Sequence, residues 1–264
     1  MKLTTTSILT ILFSLFALTA AHAEIQTQNV TYQDGDTELE GYLVWDDSIN
    51  GKRPGVLLVH EWWGLNDYAR KRAEMLAELG YVAFALDMYG KGKVTDHPDQ
   101  AGEWSNEIAK NGAQWIQRAQ SGLKILQASE LVDSERMAAI GYCFGGSTVM
   151  QMAYAGANLD GVVSFHGALP LPPVGQSEPI SSRMLIAHGN ADAFIKPDHI
   201  AKFQNALEQV GADWQMVYYA GARHGFTNPD AGNYGIDNLK YDEKADQRSW
   251  EHMQRFFDEL FSVT

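Results

Sequence analysis

The sequence predicts an α/β domain with a mainly parallel sheet and helices on both faces. Three observations predict it. Short apolar runs alternate with amphipathic stretches along the chain, several runs end in polar or glycine-rich loops, and residues 24–264 contain no repeat, low-complexity tract or domain boundary. In chain order, strands are expected at Ile25–Tyr32 and Leu39–Trp45, which flank the hairpin-type turn Asp34-Gly35-Asp36. The next strand, Gly55–His60, precedes a helix over Asp67–Leu79 and a strand over Tyr81–Asp87. The amphipathic stretch Asp99–Ala128 contains Gly102, Gly112 and Gly122, which divide it into pieces. A strand over Arg136–Cys143 and a helix over Gly145–Ala155 follow, then a strand over Gly161–His166 and a Pro-rich loop from Leu169 to Pro179. The last elements are strands Met184–His188 and Gln215–Tyr219 and helices Pro197–Val210 and Glu243–Leu260.

Residues 1–23 have the pattern of an export leader. Lys2 supplies the positive start, Ile8 to Leu18 the apolar stretch, and Ala21-His22-Ala23 the small-residue cleavage site. The expected mature chain begins at Glu24, is exported to the periplasm or beyond, and has no membrane segment of its own. A net charge of −13 argues against nucleic-acid binding, which favours a basic face. Scattered Lys and Arg leave no polybasic membrane patch, and no metal-ligand spacing is present.

Cys143 is the only cysteine in 264 residues. Exported proteins commonly pair their cysteines, and a single one cannot form an internal disulfide. It is therefore buried and inert, paired between molecules, or retained for reactivity. Its context bears on the last without excluding the first: Gly141-Tyr142-Cys143-Phe144-Gly145-Gly146 lies between an expected strand and an expected helix. This is the pattern of a nucleophile elbow, with sulfur in the nucleophile position.

A thiolate nucleophile needs a base within reach, and the base needs an orienting group. Asp192 follows the strand Met184–His188 across Gly189-Asn190-Ala191, and His224 lies in a loop after Gln215–Tyr219. Each of the three stands just beyond an expected strand, where ligands of open α/β sheets bind. His188 is a rival base whose strand-end position suits a structural role better. Acyl transfer also needs oxyanion donors, expected from the backbone N–H groups of Phe144 and Trp62. The rings of Trp62 and Trp63 either wall a pocket or pack in the core.

Together, Val59-His60-Glu61-Trp62-Trp63-Gly64-Leu65-Asn66, Asp87-Met88-Tyr89, the Cys143 elbow, Gly189-Asn190-Ala191-Asp192 and His224-Gly225-Phe226 resemble the dienelactone hydrolase family. The resemblance implies an α/β-hydrolase fold, no cofactor, and a small ester or lactone substrate cleaved through a thioester. It implies Cys143 as nucleophile, His224 as acid and base, Asp192 as its orienter, and Glu61 as the group that helps generate the thiolate. Partial desolvation of Glu61 would make it a better base. Tyr89, Trp63 and Lys91 are expected near the substrate.

Two arginines hold the substrate carboxylate in that family. Here Gly90-Lys91-Gly92 and Thr227-Asn228-Pro229 stand at those places. Lys91 supplies a point charge without a bidentate fork, so an ester or lactone other than dienelactone is expected. The same residues also suit acyl transfer to another acceptor, and a non-catalytic binding or thiol-sensing protein is the alternative outside enzymology. Oligomeric state is not encoded in these patterns.

Overall fold

The computed structural model describes residues 24–175 and 179–262. The leader expected over residues 1–23 lies outside the described residues. The described chain forms eight strands, β1 (Ile25–Asp34), β2 (Thr37–Asp46), β3 (Arg53–Val59), β4 (Val82–Leu86), β5 (Val132–Tyr142), β6 (Gly161–Phe165), β7 (Arg183–Gly189) and β8 (Trp214–Tyr219). Six helices accompany them: α1 (Asp67–Glu78), α2 (Pro98–Ala109), α3 (Gly112–Gln127), α4 (Phe144–Tyr154), α5 (Pro197–Gln209) and α6 (Glu243–Phe261). All the strands join one sheet in the order β1-β2-β4-β3-β5-β6-β7-β8. The β1–β2 hairpin turns at Gly35 and pairs antiparallel with β4, while β3 to β8 run parallel.

The parallel strands read as continuous apolar runs because both faces are covered. Leu57 of β3 stands in register between Phe84 of β4 and Ala139 of β5. On one face these strands pack with Leu123, Met150 and Phe203 from α3, α4 and α5. On the other they pack with Leu76 of α1 and Met253 and Phe257 of α6.

Helix starts follow local chemistry. Asn66, Asn111 and Asp242 accept the N–H groups of Ala69, Gln114 and Ala245, and Pro98 and Pro197 open α2 and α5. The stretch expected over Asp99–Ala128 does divide, but only at Gly112. Asn111 caps a new helix there, while Gly102 and Gly122 stay helical. Gly122 is retained for space, since a Cβ would press into the Leu86 side chain. Unforeseen was a short 3₁₀ turn, Ala231–Tyr234, in the loop between β8 and α6.

Candidate active site

Cys143 sits at the junction of β5 and α4 with φ of 53°, a left-handed backbone that a non-glycine residue adopts only under constraint. The flanking glycines supply that constraint. A Cβ on Gly141 would collide with the backbone of Gly145, and a Cβ on Gly145 with the carbonyl of Val59. Strand and helix therefore close on each other, and the sulfur projects at the positive end of α4, where negative charge is stabilised. Gly141→Ala is expected to destabilise the fold by about 3 kcal/mol. Thermal unfolding would show this as a Tm lower by roughly 6–12 °C.

His224 arrives on the loop after β8, where its carbonyl accepts the Lys240 N–H at 3.1 Å and the Phe226 carbonyl accepts the Asp242 N–H at 3.0 Å. Its Nδ1 lies 2.7 Å from Asp192 Oδ2, which directs Nε2 to the sulfur side. Asp192 is fixed in turn: its Oδ1 accepts the Phe194 N–H at 2.9 Å and the Asn238 side-chain amide at 3.0 Å. Phe194 stands edge-on against the His224 ring. Burial opposes ionisation of Asp192, but the His224 contact outweighs it and holds the carboxyl at about 2. Burial likewise opposes protonation of His224, yet the charge on the Cys143 sulfur and the Asp192 carboxylate raise it to about 10. The arrangement favours an imidazolium on His224.

Glu61 follows β3 and is 4% exposed, and burial pushes its carboxyl up to about 7. Its partner is not the sulfur. Asn228 donates its side-chain N–H to Glu61 Oε2 at 2.6 Å, so the position expected to hold an arginine serves here as a neutral anchor. His60 secures the same loop, its Nδ1 at 2.5 Å from the Glu61 carbonyl and its Nε2 accepting the Met88 N–H at 3.2 Å. Tyr89 donates its hydroxyl to the Trp62 carbonyl at 3.1 Å. No acceptor among the described residues takes the backbone N–H of Trp62 or of Phe144.

The cavity at Cys143 measures about 240 Å³ and is walled by Trp62, Trp115, Phe144 and Ala168, with Ser105, Asn106 and His224 at its edges. The rings of Trp115 and Phe144 stack with centroids 5.3 Å apart. Apart from His224, no charged side chain borders this space.

Of the three further residues expected at the pocket, two lie elsewhere. Trp63 is 1% exposed and stacks on Tyr234, so it packs in the core. Tyr89 backs the Cys143 cavity, its ring 5.8 Å from that of Phe144 and its hydroxyl on the Trp62 carbonyl, and also lines a second cavity with Trp104. Lys91 points away: the turn after Asp87 returns to β2, where Lys91 pairs with Glu38 and Glu40 in solvent. His188 is buried at the end of β7 against Tyr218 and does not line the Cys143 cavity. Trp115, on α3, was missed. Among the described residues, no group of three or more His, Cys, Asp or Glu side chains could hold a metal ion.

The model of the dienelactone hydrolase family matches residues 39–261. This chain belongs to that family. It is a hydrolase of the α/β-hydrolase fold. A solved dienelactone hydrolase-like promiscuous phosphotriesterase from metagenomic libraries is 38% identical, with a TM-score of 0.87 over 90% of this chain and 99% of its own. An inferred carboxymethylenebutenolidase of Aquifex aeolicus (strain VF5) is 26% identical over 235 residues, 87% of this chain and 97% of its own length. A dienelactone hydrolase fold from Klebsiella pneumoniae, at 22% identity and a TM-score of 0.75 over 89% of this chain and 99% of its own, matches in architecture alone.

Proposed function

We propose that the protein hydrolyses small, uncharged carboxylic esters or lactones through a thioester on Cys143. The observation that carries this is the Asp192–His224 hydrogen bond beside Cys143 in an apolar, aromatic-walled cavity. The Cys143 thiolate attacks the ester carbonyl, and the N–H groups of Trp62 and Phe144 receive the developing oxyanion. His224 donates a proton to the leaving alkoxide, then takes one from the attacking water as the thioester breaks and the thiolate returns. Asp192 keeps the imidazole oriented throughout.

The volume and lining limit the substrate. About 240 Å³ accommodates a short acyl chain or a single ring, and a carboxylate on that group would find no cation but His224. The absence of an arginine clamp points the same way. Short neutral esters are therefore preferred over a carboxylate-bearing lactone by about 10²-fold or more in kcat/KM. Parallel assays on p-nitrophenyl butyrate and dienelactone check this, and a preference for dienelactone would refute the substrate reading. An uncharged aryl phosphotriester is a second candidate, favoured by the same cavity and by the solved relative described as a promiscuous phosphotriesterase. Lys2, the Ile8–Leu18 stretch and Ala21-His22-Ala23 support export, with the reaction then outside the cytoplasm.

A further inference from the structure

Beyond the triad, a second buried histidine touches the nucleophile's own backbone. Nδ1 of His166, the residue after β6, accepts the Cys143 N–H at 3.1 Å. The same N–H also reaches the Phe165 carbonyl at 3.0 Å. Nε2 of His166 lies 2.7 Å from Thr227 Oγ1, three residues past His224. A backbone N–H can only donate, so Nδ1 carries no proton. A neutral ring then has its proton on Nε2 and gives it to Thr227. An imidazolium would have no lone pair for Cys143.

Both ends of this link are anchored. His166 itself has φ of 43°, and its N–H donates to the Ala187 carbonyl at 2.9 Å. Thr227 Oγ1 shares a 2.6 Å bond with the Tyr68 hydroxyl, and the Thr227 carbonyl accepts from Arg72 at 2.6 Å. Arg72 is paired with Asp246 on α6. The His166 ring stands edge-on to His224 with centroids 5.3 Å apart.

We infer that His166 is a positioning residue that ties the strained Cys143 backbone to the loop carrying His224, and that it does so only as the neutral Nε2–H tautomer. The charged groups around it are His224, Asp192 and Arg72. Burial and the neighbouring His224 keep it neutral, lowering its pKa well below the usual histidine value. Two cations in edge contact would repel, so a neutral His166 lets His224 carry the charge. The consequence for the reaction rests on the Cys143–His224 pairing proposed above, but the tautomer can be read without substrate.

The test uses the full mature protein with ¹⁵N-labelled histidine. Long-range ¹H–¹⁵N spectra, with His166 assigned by its loss in His166→Gln, should show Nδ1 unprotonated, Nε2 protonated, and no titration between about pH 5 and 9. Thr227→Val removes the Nε2 acceptor with little change of shape. It should lower kcat on p-nitrophenyl butyrate by about 10-fold or more with KM within about twofold, and Thr227→Ser should restore it. A residue that only packs would shift Tm and leave kcat of the folded enzyme unchanged. A protonated Nδ1, a ring that titrates near its ordinary value, or full kcat in a folded Thr227→Val would overturn the assignment. Should Thr227→Val not fold, the wild-type spectra alone decide.

Discussion

Cys143→Ala is expected to lower kcat/KM on p-nitrophenyl butyrate by on the order of 10⁴-fold, leaving only what binding and oxyanion donors supply. The size follows from the division of labour. Without the sulfur there is no thioester, and His224 must activate water directly in a cavity built around a different first step. Fold and stability should hold, because Cys143 is only half-buried and its sulfur packs at the cavity surface. His224→Ala should fall by a similar factor, and Cys143→Ala/His224→Ala should be little worse than either alone. The non-catalytic and thiol-sensing alternatives predict no histidine-dependent turnover to lose. Equal, substantial turnover by Cys143→Ala and wild type would remove the nucleophile assignment.

Glu61→Gln is expected to stabilise the protein at pH 8 by roughly 3 kcal/mol while lowering kcat/KM by on the order of 10²-fold. The carboxyl rises from 4.5 to about 7 on folding, with burial as the main cause. Between those values the folded state holds a proton that the unfolded chain has released, so stability falls as pH rises through the window. A glutamine has no charge to bury, and its side-chain oxygen can still accept the Asn228 N–H that Glu61 Oε2 accepts at 2.6 Å. Denaturant melts at pH 4.5 and pH 8 check this. Wild type and variant should match within about 1 kcal/mol at the lower pH and diverge at the higher. A difference that is the same at both pH values would contradict a buried, titrating Glu61. The carboxylate is retained at a cost in stability because its charge, formed near neutral pH, supports the imidazolium of His224.

What the sequence revealed of this site was what local rules encode. The elbow was legible because Gly141 and Gly145 are demanded by a contact between adjacent segments, and a strand–turn–helix pattern announces it. Asp192 and His224 were legible because each stands just past an apolar run, and strand ends converge on one sheet edge. The strands and helices themselves were placed within a few residues, since apolar periodicity and caps are local signals. The Lys91 misplacement came from a turn. Gly90 and Gly92 both have positive φ, and the chain bends back to β2 instead of continuing over the cavity. Trp63 and Trp62 are adjacent in sequence, yet one is core and the other cavity wall, a division that only the packing of Tyr234 decides. Trp115 gave no signal, because which face of α3 meets Phe144 depends on how α3 and α4 pack. His166 and Thr227 lie 61 residues apart, and no motif joins them. Asn228 was noted only for the charge it lacks, while its role is to hold Glu61.

The central claim is a covalent thioester on Cys143. Rapid-quench intact-mass spectrometry during turnover of p-nitrophenyl butyrate tests it most directly. The expected result is a transient adduct of one butyryl group that maps to the peptide containing Cys143, decays as product forms, and is absent from Cys143→Ala. Turnover at full rate with no adduct, or an adduct on another residue that persists in Cys143→Ala, would contradict the mechanism.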